Sequence, residues 1–532
     1  MSVLFTNISE KNPVKPGDAE ALLKPLGLTI DPTESQDFHT LLAAVHDCAE
    51  SIAALPDYQP VPNQIKYPRE NVRRPSAEEQ VFGQAWAHRF LIRGNPEGGP
   101  LAGTSVSLKD VIAVAGVPQL LGSDIIPSWT PTTDATVVTR LLEAGADIHG
   151  TSTCENLCHS TSSYTSAQGT VENPHAKGYS AGGSTSGGAA LVAAGIVDIT
   201  IGGDQGGSIR VPASFCGCVG LKPTYGRVPF TGFASGDAMD DHAGPLARTT
   251  LEIANCLDVI SGYDGIDDRA VGSSKPGSTR FAAIQQSPNT LDGFKVGILV
   301  EGFDHSAVDP RVKGAVLTAA QKFKDLGATV EEVSLPEHLQ GPALWTIQQR
   351  IAGAQTLLGQ NTGRRGLYMS EMEHARLPWT DDGFQRAFPS TKNVIINGLY
   401  LMQQFPGLYG KTANLGRLLS DKYEALFEKY DILVMPTTPV VAPRHGKREL
   451  PLDSLKPSMG LTINTAIFNV TGHPALTIPV GFAPAKEDNQ VMLPVGMQIV
   501  GGLWQEEKIL RAGHIWETRF DWKKMQYCAD KN

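Results

Sequence analysis

Two serines, Ser184 and Ser208, each lie in a run of glycine, at residues 182–188 and 202–208. A serine hydroxyl is a weak nucleophile until a base takes its proton. Glycine loses more chain freedom on folding than other residues, so its concentration around two serines points to a backbone bent closely around something. The chemistry on offer is hydrolysis; the alternative is a glycine-rich structural corner. A third feature, Lys109-Asp110, falls in a polar break between two short apolar runs.

Several other sites are excluded by pattern. The sequence has no H-E-x-x-H and no G-x-x-x-x-G-K-[ST], which removes the zincin and P-loop readings. The glycine clusters do not fit G-x-G-x-x-G, so a dinucleotide fold has no fingerprint. Neither Ser184 nor Ser208 sits in G-x-S-x-G, and no serine stands three residues before a lysine. Cys154, Cys158 and His159 cluster, as do Cys216 and Cys218, but these spacings lack the second pair that a zinc site wants. His242, His473 and Cys216 read as packed side chains rather than chemical ones.

The elements that must position these residues follow from periodicity. With 532 residues the chain can bury a substantial core, and its net charge of −10 argues against a nucleic-acid surface. Seven scattered cysteines make no disulfide framework. Without a signal-peptide pattern or an 18-residue apolar run, the expected location is cytoplasmic, away from the membrane. Residues 1–75 read as a helical preface with a proline-rich linker, helices being expected at 17–26 and 35–55. From residue 76 to about 525, short apolar runs alternate with helical patterns, as in an α/β core. Strands are expected at 103–108, 111–114, 198–201, 296–300, 329–335, 431–436, 477–480 and 495–500. Helices are expected at 134–144, with Asp134 as its cap, and at 310–326 and 506–516. Residues 340–425, rich in aromatic and amide side chains, read as a mainly helical insertion lining a pocket.

The chain resembles the amidase signature family. The resemblance is carried by Gly202-Gly-Asp-Gln-Gly-Gly-Ser-Ile-Arg-Val-Pro-Ala213, then Phe215-Cys-Gly217 and Gly220-Leu-Lys-Pro-Thr224. Ser184 and Ser208 stand 24 residues apart, the family's spacing, and further matches run from about residue 100 to 516. The motif variants look most like microbial aliphatic and aryl-amide amidases with a helical N-terminal domain. This resemblance implies a large mixed β-sheet covered by helices on both faces, with a helical N-terminal extension. It implies Ser208 as nucleophile, Ser184 as a proton bridge on a cis peptide after Gly183, and Lys109 as the base. Lysine must be uncharged to accept a proton, so Lys109 is expected to be hidden from water. The backbone N–H groups of Gln205, Gly206, Gly207 and Ser208 are the expected oxyanion hole, with Asp204 and Arg210 bracing the loop. Thr185-Ser186 stands where many members have Ser-Gly, which makes Ser186 the fallback bridge. The implied reaction is hydrolysis of a small-molecule amide without cofactor or metal. The alternatives are a carbamate hydrolase, a catalytically silent binding protein and an amidotransferase subunit. Homodimerisation through the N-terminal helices is expected.

Overall fold

The computed structural model describes residues 8–125, 129–448 and 450–527. Contacts divide the chain into two compact units, Met1–Pro60 and Val61–Asn532. The first is built on the helices Asp18–Leu23 and Ser35–Ala53. Asn12 ties its leading segment down, its Nδ2 donating to Asp47 Oδ1 at 2.6 Å and to the Ala43 carbonyl at 2.7 Å.

The second unit is organised around strands β1 Glu70–Arg73, β2 Trp86–Ile92, β3 Ser105–Lys109 and β4 Asp147–Ser152. These are followed by β5 Glu172–Asn173, β6 Ala176–Ser180, β7 Ile199–Asp204, β8 Val219–Lys222 and β9 His242–Ala247. The set closes with β10 Lys295–Leu299, β11 Thr329–Val333, β12 Ile432–Pro436, β13 Ala475–Pro484 and β14 Met492–Val500. β5 and β6 form a separate pair; the other twelve make one sheet in the order β1-β2-β4-β3-β7-β9-β8-β13-β14-β12-β10-β11. The sheet is mixed, with β3 parallel to β4 and β7, and β10 parallel to β11 and β12. Every position of β7, β8, β9 and β12 is buried, which requires cover on both faces.

Local chemistry sets the helix boundaries. Asp309 caps the helix Pro310–Gln321 by accepting the Arg311 N–H, with proline at the first helical position. Thr249 and Glu252 form a reciprocal capping box on Thr250–Ile260. Residues 341–427 carry the helices Gly341–Leu357, Ser370–Arg376, Asp381–Arg386, Pro389–Gln404 and Leu408–Phe427.

Two expectations are corrected. The run at 111–114 is no strand: after Lys109 the chain turns, and Ile112 makes only an isolated bridge to Phe233. Nor does Asp134 cap the next helix, which spans Thr136–Glu143 behind Ala135. Its carboxylate instead accepts the Ala115 N–H at 2.8 Å and pairs with Arg69, fixing that turn to the arm before β1. Among the described residues no helix is long and apolar enough to cross a membrane.

Candidate active site

Lys109 ends β3, and β7 runs parallel beside it with Leu108 opposite Ile201. Ligand sites in such sheets form beyond the carboxyl ends of parallel strands, and here both serine loops gather there. Ser184 lies between β6 and the helix Ser186–Ala193; Ser208 lies between β7 and the helix Arg210–Cys216. Lys109 Nζ donates to Ser184 Oγ at 2.8 Å and to the Gly203 carbonyl at 3.2 Å. Both side chains are fully buried, at 0% exposure. The Gly183–Ser184 peptide is cis. Thr185 N–H donates to the Ser208 carbonyl at 3.2 Å, which ties the second serine loop to the first. Ser186 Oγ, the fallback bridge, is buried without a partner among the described residues, and the contact to Lys109 belongs to Ser184.

Asp204 and Arg210 do more than pair. Asp204 accepts Arg210 Nη2 at 2.9 Å and Nε at 3.0 Å, Gly207 N–H at 2.7 Å and Ile209 N–H at 3.1 Å. Arg210 is held in turn by the Thr465 carbonyl, Gln498 and Asn469. Burial opposes the Asp204 charge, but the Arg210 guanidinium and the hydrogen bonds of Asn469 and Ile209 hold its carboxyl well below the usual range.

Gly207 supplies one of the four N–H groups expected at the oxyanion hole. The Gly207 N–H is committed to Asp204 and faces into the protein. In a trans peptide the carbonyl and the following N–H point in opposite directions. The Asp204 carbonyl takes Asn469 Nδ2, the Gln205 carbonyl takes Trp345 Nε1, and the Gly207 carbonyl takes Val211 N–H. The N–H groups of Gln205, Gly206 and Ser208 are thereby turned the other way, and none has an acceptor among the described residues. Glycine is required at two of these positions. A Cβ on Gly206 would come within 2.4 Å of the Trp345 ring, and Gly207 has φ +134° with Thr465 Oγ1 at 2.4 Å from such a Cβ.

Ser208, Gln205 and Gly206 open onto a cavity of about 350 Å³ whose walls include Trp345, Arg350 and Ile463. Cys158 also lines it and lies against the Lys109–Ser184 pair. A hydrogen bond with the Cys154 thiol holds Cys158 below the ordinary thiol range although burial opposes this. The two cysteines thus sit beside the buried amine. His159 bonds Gln349 through Nδ1, at 3.2 Å, and Cys216 Sγ donates to the Ala181 carbonyl. His242 contacts the Asp240 carbonyl, and His473 contacts Thr471 and Glu424; neither lines this cavity.

Trp345, Thr465, Asn469 and Gln498 brace the Ser208 loop, and none of these roles follows from the sequence alone. In the sequence, Trp345 and Gln349 read only as part of an aromatic and amide-rich wall. Thr465 and Asn469 lie more than 250 positions from the loop they hold.

The amidase family model matches residues 77–510. The enantioselective amidase of Rhodococcus rhodochrous is 40% identical over 415 residues, covering 76% of this chain and 77% of that protein. A glutamyl-tRNA(Gln) amidotransferase subunit from Methylococcus capsulatus is 34% identical over 431 residues, covering 80% and 85%. Among solved structures, the peptide amidase of Stenotrophomonas maltophilia superposes with a TM-score of 0.62 at 26% identity, over 79% of this chain and 83% of that one. With the signature loop, the sheet and the family match in agreement, the chain belongs to the amidase family of amide-hydrolysing enzymes.

Proposed function

We propose that the enzyme cleaves a carboxylic amide through a seryl acyl-enzyme, with Ser208 as nucleophile, Ser184 as proton bridge and Lys109 as base. The observation that carries this reading is the 2.8 Å contact between Lys109 Nζ and Ser184 Oγ, sealed from water beneath the Ser208 loop. A neutral amine has two N–H donors and one lone pair. It can keep Gly203 as acceptor while Ser184 donates to the lone pair across the same contact. In the proposed relay Ser208 then donates to Ser184.

In acylation, Ser208 Oγ bonds to the amide carbon as its proton passes to Ser184 and that of Ser184 passes to Lys109. The carbonyl π electrons move to oxygen, where the N–H groups of Gln205, Gly206 and Ser208 stabilise the charge; each such donor is worth about 10²–10³ in rate. As the C–N bond breaks, its electron pair leaves on nitrogen, which takes the proton back through Ser184. Water then attacks the ester by the same route, releasing the acid and restoring Ser208.

A fluorophosphonate should add to Ser208 with loss of fluoride, and the adduct should be absent from Ser208→Ala. Ammonia should be released from simple amides without ATP or a second protein. An unlabelled Ser208 together with no amide turnover would refute the reading. Carbamates and esters in the same panel define the leaving groups accepted. We further propose homodimerisation through the N-terminal unit, which exposes Leu22, Leu26, Phe38, Val45 and Ile52; a monomeric sedimentation coefficient would refute it.

A further inference from the structure

Among the described residues that line the cavity in front of Ser208, one carries a permanent charge. Its lining includes hydroxyls, amides and apolar side chains, but among the described residues no aspartate or glutamate; the cation is Arg350. The guanidinium donates through Nη1 to Gln349 Oε1, and its Nε is buried with no partner among the described residues. No carboxylate among the described residues pairs with it. Burial lowers the Arg350 group to about 10, which leaves it charged at neutral pH. Burial above all, then the charges of Arg350 and Arg376, hold His159 at about 3, so the imidazole between them is neutral.

A second element converges on the same space. The 16-residue helix Pro389–Gln404 begins at this cavity wall, where Ser390 and Asn393 line it. Ser390 is 4% exposed, and its Oγ has no hydrogen-bond partner among the described residues. Asn393 Oδ1 accepts from Asn397 Nδ2 at 3.1 Å, which leaves the Asn393 amide nitrogen as a donor. The helix packs closely on the one that carries Arg350: a Cβ on Gly398 would stand 2.3 Å from the Arg350 carbonyl. A helix start adds partial positive charge near its first turn.

From this convergence of Arg350, Ser390 and Asn393 opposite Ser208 we infer that the substrate is a carboxylate-bearing amide, the carboxylate docking on Arg350 while the amide meets Ser208. A guanidinium presents a planar fork matched to the two oxygens of a carboxylate, and Ser390 and Asn393 supply further donors. The apolar wall formed by Trp345, Leu455 and Ile463 suits a hydrocarbon spacer between the two groups. The product is then a dicarboxylic acid when the amine is ammonia.

This inference rests on the hydrolytic reading above, so its test has one arm that needs no turnover. In the first arm, kcat/KM is measured for succinamate, glutaramate and adipamate against their neutral isosteres 4-methylpentanamide, 5-methylhexanamide and 6-methylheptanamide. For at least one chain length the wild type should prefer the carboxylate by about ten- to hundredfold, the range for a charged hydrogen bond, chiefly through KM. The preference should fall to about one in Arg350→Gln and return in part in Arg350→Lys. Equal or better hydrolysis of the neutral member at every length would overturn the inference, as would a preference unchanged in Arg350→Gln. In the second arm, succinate, glutarate and adipate are titrated calorimetrically into Ser208→Ala, with and without Arg350→Gln. Binding of one diacid that weakens at least tenfold on loss of Arg350 sustains the anion site even if no amide in the panel turns over. Absence of binding by all three overturns it.

Discussion

The Asp204 carboxylate accepts the N–H of Gly207 at 2.7 Å while it holds Arg210 at 2.9 Å. One side chain therefore both neutralises a buried cation and fixes the Gly206–Gly207 peptide. Removing one partner of a buried pair leaves the other charge uncompensated, a loss of about 3–5 kcal/mol. Asp204→Ala should lower the unfolding free energy by that amount in urea titrations, and a loss under about 1 kcal/mol, the value of an exposed pair, would contradict the pairing.

The same carboxylate makes part of the stability dependent on pH. Its folded-state pKa lies below the unfolded value of about 3.9. Its contribution is therefore fully present above that unfolded value and is lost as the pH falls through the lower, folded one. Wild type should lose stability more steeply than Asp204→Asn as the pH drops below about 4, the unfolded carboxyl value. Parallel acid slopes for the two proteins would contradict this.

Gly206 is pressed against Trp345, whose Nε1 also holds the Gln205 carbonyl at 2.6 Å. An added methyl group would meet the ring at 2.4 Å and displace the loop that carries the oxyanion donors. Gly206→Ala should reduce kcat by about 10² or more, the value of one such donor. Equal kcat values for Gly206→Ala and wild type would contradict the tight fit.

Cys158 lines the catalytic cavity, and its thiol ionises below the ordinary range of about 8.5. Iodoacetamide should alkylate it with a lower pH midpoint than it does the exposed Cys48, and activity should fall in step with alkylation. Peptide mapping across the pH range reads the outcome. A Cys158 midpoint at or above that of Cys48 would contradict the environment described.

Much of this site was legible in the chain because its chemistry is local. The strand containing residues 199–201, the glycine runs and Lys109 are short stretches whose residue types restrict what they can do. The fold was readable where periodicity is strong, as in Ile432–Pro436, which is buried throughout. It failed at residues 111–114, where an apolar run is buried as a turn, and at Asp134, where a distant arginine outcompeted the helix end. The orientation of the Gly207 N–H has the same origin. A motif places its N–H in the right loop, but only the side chain of Asp204 decides which way that peptide faces. Arg350 carries no sequence signal at all: its meaning lies in how the surrounding helices pack, which leaves it without an acid among the described residues.

The proton relay is tested most directly by Lys109→Met, which keeps the buried stem and removes the amine. With wild-type circular dichroism, amide hydrolysis should fall by about 10²–10⁴, the contribution of a general base. Amide hydrolysis at the wild-type rate in that variant would contradict the relay from Ser208 through Ser184 to Lys109.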